Sequence, residues 1–250
     1  DHKFLVRITH DNVYLLWNSS GESLYKRGYR DITGPAPLNE VLAAGILTFM
    51  DWNQTQTLVD PMCGSGTFLC EALMMAKKIP PGINRSIFGF AKHKNYNHKL
   101  WSEIKENAQK EILSSNPKLI GFDSVNKMVF ATKHNLKNIY PNHSCKISVS
   151  DFFSLKSSGE KCLIVMNPPY NVRINQHKIY DFYKNIGSRL KHEWTGSDAW
   201  ILSGSLESLK HVGLKPKKKI KLFNGPIETR LIHIPLYKGS KKQKIRPKIE

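Results

Sequence analysis

The sequence lacks an apolar run long enough to cross a membrane as a helix, and its N-terminus lacks the pattern of a secretory signal. Acidic residues are scarce: 20 Asp and Glu stand against 38 Lys and Arg, a formal net charge of +18. This excess indicates a polyanionic partner, nucleic acid first, although a merely solvated basic surface would give the same count. We therefore expect no membrane association and a nucleic acid as partner.

Cysteine is also scarce. Cys63, Cys70, Cys145 and Cys162 show no metal-ligand spacing, and three of them lie in or beside apolar runs. This pattern is typical of reduced, mostly buried thiols. We expect a cytoplasmic protein that requires no metal.

The most specific pattern in the chain covers residues 57–72. A short apolar run ends on Asp60, a tight turn carries Gly64 and Gly66, and an amphipathic helix follows. In such a strand–loop–helix unit the glycines let the backbone approach a ligand closely, with N–H groups facing it. Turns of this kind serve several nucleotide-like cofactors, and a structural turn at a sheet crossover is the alternative.

The string D-P-M-C-G-S-G-T-F at residues 60–68 resembles motif I of the class I methyltransferases, in the form used by enzymes that methylate amino groups. The resemblance implies S-adenosylmethionine (SAM) as cofactor and a doubly wound, Rossmann-like α/β sheet with the cofactor across the carboxyl ends of its strands. Within this string it assigns cofactor contacts to Asp60, Cys63, Gly64, Gly66 and Thr67.

Two further predicted strands, at residues 119–123 and 146–152, end on or beside acidic residues. Either acid could instead cap a helix. In the resembled family, the first carboxylate accepts hydrogen bonds from the ribose hydroxyls of the cofactor. The second carboxylate accepts a hydrogen bond from the exocyclic amine of the cofactor's adenine, and the neighbouring aromatic side chain packs on the adenine ring. The resemblance therefore adds Asp123, Asp151 and Phe152 to the cofactor site.

A buried strand at residues 163–166 ends in Asn167-Pro168-Pro169-Tyr170. The prolines stiffen the turn and leave carbonyl groups free to accept hydrogen bonds. An exocyclic amine has two hydrogens, so the oxygens of Asn167 and Pro168 can hold both and turn the nitrogen lone pair toward an electrophilic methyl group. Tyr170 offers a flat face for a base. The string is similar to motif IV of methyltransferases that act on amino or amide nitrogens, and we expect all three residues to be catalytic, with Asn167 also touching the cofactor.

Residues 1–30 do not belong to this sheet. Alternating apolar residues at 4–8 and 13–17, with a turn at Asp11-Asn12, predict a β-hairpin. The following string Y-K-R-G-Y-R contains Lys26, Arg27, Tyr29 and Arg30, which could hold phosphates and stack on bases, or could form a packed linker.

The hairpin, this string and the following A-P-L-N-E-V-L-A-A-G-I resemble the junction between a THUMP RNA-binding domain and its methyltransferase domain. The similarity is greatest to bacterial large-subunit rRNA guanine-N2 methyltransferases, although Tyr25 stands where that family usually has histidine. The resemblance implies that Lys26, Arg27, Tyr29 and Arg30 contact RNA.

Apolar periodicity and turn residues predict the remaining elements. These are helices at 37–50 (its start marked by Pro35 and Pro37), 100–113, 125–139 and 206–212, a strand at 198–203, and a closing antiparallel hairpin of strands 217–223 and 231–236. We expect three segments: the C-terminal part of a THUMP-like region with its linker at 1–30, the methyltransferase domain at 31–238, and a basic tail at 239–250. Because the chain begins with Asp1 instead of Met, we expect most of the THUMP-like domain to be missing from it.

Together these patterns predict methyl transfer from SAM to an exocyclic amine of RNA, with guanine N2 in 23S ribosomal RNA as the expected acceptor. An adenine-N6 DNA or RNA methyltransferase and a glutamine-N5 protein methyltransferase share the second motif and remain alternatives. A non-catalytic RNA-binding module with the same fold is a third. The absence of a proline-cysteine dipeptide at 167–170 argues against a cysteine nucleophile of the cytosine-C5 type.

Overall fold

The computed structural model describes residues 2–34, 37–170 and 176–239. Within these residues the strands are β1 (Phe4–Thr9), β2 (Asn12–Trp17), β3 (Leu58–Asp60), β4 (Leu119–Asp123), β5 (Lys146–Val149), β6 (Leu163–Met166), β7 (Asp198–Ser203), β8 (Lys218–Asn224) and β9 (Ile227–Pro235). The α-helices are α1 (Glu40–Phe49), α2 (Thr67–Lys77), α3 (His98–Lys110), α4 (Asn126–Ile139), α5 (Gln176–Glu193) and α6 (Leu206–Lys210). No helix in this part of the chain is long and apolar enough to span a membrane.

Seven strands form one sheet in the order β5-β4-β3-β6-β7-β9-β8. The first five pair in parallel, whereas β9 lies antiparallel to both β7 and β8. After β3 the chain adds β4 and β5 on one side and then crosses to β6 on the other. Ligands of open parallel sheets bind beyond the carboxyl ends of the strands at such a reversal. The predicted doubly wound α/β sheet with a closing antiparallel hairpin is confirmed.

Each face of the sheet is covered by helices. Leu58 and Leu163 pack into one buried cluster with α1, α2 and α4. Their neighbours Val59 and Ile164 point the other way, into a second cluster with α5. Side chains alternate across a strand, so strands buried on both faces must be apolar at every position, as β6 is.

Helix α5 has no counterpart in the sequence predictions. Its buried residues Tyr183, Ile186, Gly187 and Leu190 recur at helical spacing. Gly187 lies at a close approach, because a Cβ there would clash with the carbonyl oxygen of Val212. The helix is therefore fixed by packing against α6 and the loop that follows it.

Several predicted boundaries are wrong by a few residues. Helix α1 begins at Glu40, not Pro37, because the side chain of Asn39 caps it by accepting a hydrogen bond from the Leu42 N–H. Pro35 lies outside the described residues. Strand β9 begins at Ile227, four residues before its predicted start, since Asn224 already pairs with Ile227 across a tight turn.

The N-terminal hairpin forms a sheet of its own, with Phe4 opposite Trp17 and Thr9 opposite Asn12. Its turn is at His10-Asp11, one residue before the predicted position. The side chains of both strands are exposed on both faces; Ile8 and Leu15 retain about 70% of their accessible surface. The hairpin therefore contributes little to the two cores of the main sheet.

Candidate active site

Strands β3, β4 and β6 run in parallel, so Asp60, Asp123 and Asn167 at or just beyond their carboxyl ends share one edge of the sheet. A cavity of about 710 Å³ opens at this edge. It brings together ten of the predicted site residues: Asp60, Cys63, Gly64, Thr67, Asp123, Asp151, Phe152, Asn167, Pro168 and Tyr170. Gly66 lies in the same loop but does not line the cavity.

The two glycines of the loop have different roles. Gly64 adopts φ +55°, and a Cβ there would meet nothing within 4 Å, so this position is open toward the cavity. Gly66 adopts φ +84° at the N-terminus of α2, where a Cβ would lie 2.7 Å from the Thr132 methyl group. Gly64 therefore lets a ligand approach the backbone, whereas Gly66 lets α2 pack on α4.

The carboxyl group of Asp60 is buried beneath this loop. Its Oδ1 accepts a hydrogen bond from the Met62 N–H at 3.2 Å. Burial raises the pKa of Asp60 to about 8, and the charge of Asp123 adds to that rise. A cationic group placed beside Asp60 would oppose this shift, because an opposite charge favours the ionised carboxylate.

Asp123 closes β4 and holds the loop. Its Oδ2 accepts the Gly64 N–H and its Oδ1 accepts the Val125 N–H, both at 2.9 Å. Carboxylate oxygens have further lone pairs, so each can still accept a hydrogen bond from a ligand. Asp151 lies two residues beyond β5, where its Oδ1 accepts the Phe153 N–H.

Two adjacent phenylalanines, Phe152 and Phe153, line the cavity, and the sequence predictions included only Phe152. Phe152 retains 2% of its surface and packs into the second core cluster while touching the cavity. Phe153 also lines the cavity and meets Phe182 edge to face, with ring centroids 5.4 Å apart. Two adjacent phenylalanines give no sequence signal of which one faces the ligand.

The turn after β6 presents an unsatisfied acceptor. Asn167 Oδ1 is buried and has no hydrogen-bond partner among the described residues. A buried oxygen left unpaired costs about 1–3 kcal/mol, so a ligand donor would be favoured there. Tyr170 lies against Gly204, a second residue that the sequence did not indicate: a Cβ at 204 would be 2.5 Å from Tyr170 Cε2.

Three of the four residues predicted to contact RNA are turned inward. Arg27 Nη2 and the Tyr29 hydroxyl both donate to the carboxylate of Glu71, at 3.3 and 3.1 Å. Burial raises the pKa of Glu71, and the charge of Arg27 opposes that rise. Arg30 donates to Thr67 Oγ1 at 2.7 Å. Of the four, only Lys26 has a largely exposed side chain, and its amine pairs with a surface glutamate. The packed-linker alternative describes Arg27, Tyr29 and Arg30 better than direct RNA contact does.

Helix α4 supplies a further contact that sequence reasoning missed. Thr132 Oγ1 donates to the carbonyl of Gly64 at 2.7 Å, and Asn135 Nδ2 donates to the carbonyl of Ser65 at 3.0 Å. Thr132 and Asn135 are three positions apart on a helix face that is otherwise apolar, and this spacing could have indicated from the sequence that both contact the same neighbouring segment. These contacts fix the loop from its outer side.

Two further observations concern nucleophilic and metal-binding groups in the part of the chain that the structure describes. Burial raises the pKa of the Cys63 thiol far above its ordinary value, which keeps it protonated and a poor nucleophile. Within the described ranges no group of three or more His, Cys, Asp or Glu is placed to hold a metal ion.

The sequence and fold have known relatives. The family model for the RMKL-like methyltransferase domain matches residues 27–233. The Ribosomal RNA large subunit methyltransferase K/L of Cellvibrio japonicus is 36% identical over 240 residues, which cover 90% of this chain and 32% of that protein. The chain thus spans about a third of the length of the curated relatives it matches.

Solved structures agree in fold. SMU.472, complexed with SAH, superposes with a TM-score of 0.86 at 26% identity, covering 96% of this chain and 63% of that one. A protein from Listeria monocytogenes, described as a predicted N6-adenine-specific DNA methylase, has a TM-score of 0.83 at 26% identity, covering 94% and 61%. The family match extends over most of the chain and includes every cavity residue named above. The chain belongs to the RMKL-like methyltransferase domain family.

Proposed function

We propose that this chain is the methyl-transferring part of an enzyme that uses SAM to methylate an exocyclic amine of RNA, with guanine N2 of 23S ribosomal RNA as acceptor. The observation that carries the proposal is the meeting of two different sites in one cavity. The glycine loop with Asp60 and Asp123 suits the cofactor, and the unpartnered Asn167 Oδ1 suits an amine. The name of the Cellvibrio japonicus relative supports ribosomal RNA as the substrate class.

The residues around the glycine loop fit SAM, which when bound supplies a methyl group on a positively charged sulfur. The buried carboxyl of Asp60 suits a cationic group, and the open position at Gly64 lets the cofactor reach the backbone. Asp123 offers two oxygens that match a vicinal diol. Asp151 and Phe152 serve the adenine end, while Cys63 and Thr67 complete the wall. The cavity volume lies in the range of roughly 300–1,000 Å³ that is usual for small-molecule sites.

The turn after β6 is proposed to hold the acceptor base. Asn167 Oδ1 and the Pro168 carbonyl accept the two amine hydrogens, which orients the nitrogen lone pair along the line of transfer. They also favour the positive charge that develops on nitrogen. Tyr170, seated on Gly204, stacks on the face of a base that has left its helix.

We also propose the division into residues 1–30, 31–238 and 239–250. The first segment is the last part of a THUMP-like region; apolar side chains exposed on both faces of β1 and β2 support a hairpin that belongs with further strands. The tail falls almost wholly outside the described residues. The net charge of +18 supports binding to RNA, and four thiols without a disulfide support a cytoplasmic location.

A second candidate is an adenine-N6 methyltransferase, which the description of the Listeria monocytogenes protein favours. The same oxygens would hold an adenine amine as readily as a guanine amine. The identity of the methylated nucleoside distinguishes the two.

The deciding experiment maps the tritiated methyl product on total RNA from a strain that lacks the gene, with Asn167→Ala protein as control. Label in N2-methylguanine of 23S RNA supports the proposal. Label in N6-methyladenine supports the second candidate. No label in RNA, despite SAM binding, would contradict both.

A further inference from the structure

Residues 20–34, here called the linker, form neither helix nor strand, and residues 27–32 within it contact α2 and α4. Arg27 and Tyr29 reach Glu71 in the middle of α2, and Arg30 reaches Thr67 at its first turn. The end of the linker borders the cavity, since Gly34 is part of the cavity wall. The linker thus connects the N-terminal hairpin to the cofactor side of the sheet.

Three polar residues on α4, each three positions from the next, hold the linker and the glycine loop. Thr132 contacts the loop, where it donates to the Gly64 carbonyl and lies 3.6 Å from Cys63 Sγ. Asn138 donates to the linker, through the Tyr29 carbonyl and the Asp31 carboxylate. Asn135 lies between them and touches both segments. The position along the helix therefore determines which segment each side chain can reach.

Asn135 uses one amide group for both contacts. Its Nδ2 donates to the Ile32 carbonyl in the linker and to the Ser65 carbonyl in the loop, each at 3.0 Å. The residue is fully buried, and its Oδ1 has no hydrogen-bond partner among the described residues. The amide thus acts here through its two donors, and removing it would take a hydrogen bond from each of the two carbonyl groups.

Arg30 provides a second connection between the same segments. Its Nη2 donates to Thr67 Oγ1 at 2.7 Å and to the Leu38 carbonyl at 3.0 Å, and its Nε lies 3.4 Å from Glu40 Oε1. Thr67 directly follows Gly66, and both Leu38 and Thr67 line the cavity. The linker is therefore joined to the residues on both sides of Gly66: through Asn135 to Ser65, and directly from Arg30 to Thr67 at the start of α2.

We propose that Asn135 is a positioning residue for the cofactor: it joins the linker to the glycine loop, so the loop reaches its binding geometry only when the linker is seated on α4. Asn135 does not line the cavity, so it acts through Ser65 and not by contact. This inference rests on the proposed function for the identity of the ligand. Ligand sites depend in this way on the groups that hold their contact residues in place.

The test compares Asn135→Leu, which removes both donors, with Asn138→Ala, a matched control that removes the linker contacts at Tyr29 and Asp31 but leaves the linker seated through Asn135 and Arg30. Calorimetry with SAH measures affinity, and hydrogen exchange of the peptide containing Cys63, Gly64 and Gly66 measures the order of the loop without any ligand. We expect Asn135→Leu to weaken SAH binding by about tenfold or more and to speed exchange in this peptide. Asn138→Ala should speed exchange in the linker and leave SAH affinity within about twofold.

Equal SAH affinities for the two variants, or faster exchange confined to the linker in Asn135→Leu, would overturn the inference. Arg30→Lys gives an independent check that survives if Asn135→Leu does not fold. Lysine keeps the charge but lacks the guanidinium group whose Nη2 donates to Thr67 and Leu38. Arg30→Lys should therefore also speed hydrogen exchange in the loop. If the unaltered chain fails to bind SAH, the proposed cofactor is wrong, while loop exchange still decides the role of Asn135.

Discussion

The ring of Tyr170 lies in space that is free only because residue 204 is glycine: an added Cβ would be 2.5 Å from Tyr170 Cε2 and 2.8 Å from Cδ2. The turn that carries Gly204 is fixed by buried polar contacts. Ser203 Oγ contacts the Tyr183 hydroxyl at 2.7 Å and accepts the Ser205 N–H at 3.0 Å. The backbone at 204 therefore has little freedom to move away.

Gly204→Ala should therefore displace the Tyr170 ring and slow methyl transfer by about 10- to 100-fold, with SAM affinity unchanged. Single-turnover kinetics and calorimetry measure the two effects separately. Gly45→Ala in α1 is the control, because a Cβ there meets nothing within 4 Å. Transfer at the unaltered rate in Gly204→Ala would show that Tyr170 does not position the base.

Asp123→Ala should weaken SAM binding by about 1.5–3 kcal/mol, since it removes a charged acceptor from the proposed ribose contact. It also frees the Gly64 N–H that Asp123 holds at 2.9 Å. Asp123→Asn is the informative partner variant, because an amide oxygen can still accept from Gly64 while the charge is lost. Calorimetry on the three proteins checks the prediction, and unaltered affinity in Asp123→Ala would contradict the assignment.

Asn167→Ala should leave SAM affinity almost intact and depress methyl transfer, because its buried Oδ1 is proposed to hold the acceptor amine, and its expected contact with the cofactor is secondary. Tyr170→Ala should weaken binding of the flipped base, and Tyr170→Phe should be much milder because stacking survives. A methylation assay on a verified RNA substrate gives both rates. Unaltered turnover by Asn167→Ala would exclude the amine-holding mechanism.

Asp60 should make stability depend on pH in an unusual direction. Its pKa in the folded protein is raised from 3.8 to about 8, so the folded state keeps a proton that the unfolded state has released. Stability from this group is complete below the unfolded pKa and is lost as pH rises through the folded pKa. Urea denaturation at pH values between the unfolded pKa of 3.8 and the folded pKa of about 8 should show this effect. As the pH rises, the free energy of unfolding of the unaltered protein should fall relative to that of Asp60→Asn. A constant difference between the two would contradict the raised pKa.

Substitutions of Arg27 and Lys26 should affect different properties of the protein. Each change to alanine removes one positive charge, so a difference between the two variants reflects where the side chain lies and not the net charge. Arg27→Ala leaves the buried Glu71 carboxyl without its cation and should cost about 3–5 kcal/mol of unfolding free energy. Lys26→Ala, at an exposed pair, should leave the free energy of unfolding almost unchanged but should weaken RNA binding. Denaturation and filter binding check the pair. If Arg27→Ala kept its stability and lost more RNA affinity than Lys26→Ala, the inward role of Arg27 would be wrong.

Local sequence patterns were sufficient to place the strands of the sheet and the edge at which the candidate site lies. Apolar runs that end on Asp60, Asp123 and Asn167 are local patterns, and parallel strands must bring their carboxyl ends to one edge. The placement of Asp60, Asp123 and Asn167 at one edge of the sheet therefore followed from strand boundaries, whereas their proposed roles came from the resemblance to methyltransferase motifs. The strand ends could be predicted because each depends on neighbouring residues in the chain.

The roles of the remaining side chains depend on contacts that form only when the chain has folded. A string such as Lys26–Arg30 is equally suited to phosphates and to buried carboxylates, and its partner Glu71 lies 42 residues beyond Tyr29. Likewise, Gly204 gained its role from a ring that packs on it, and Asn135 from two carbonyl groups distant in sequence. Burial and pairing depend on which surfaces meet after folding, and local periodicity carries no information about such long-range partners.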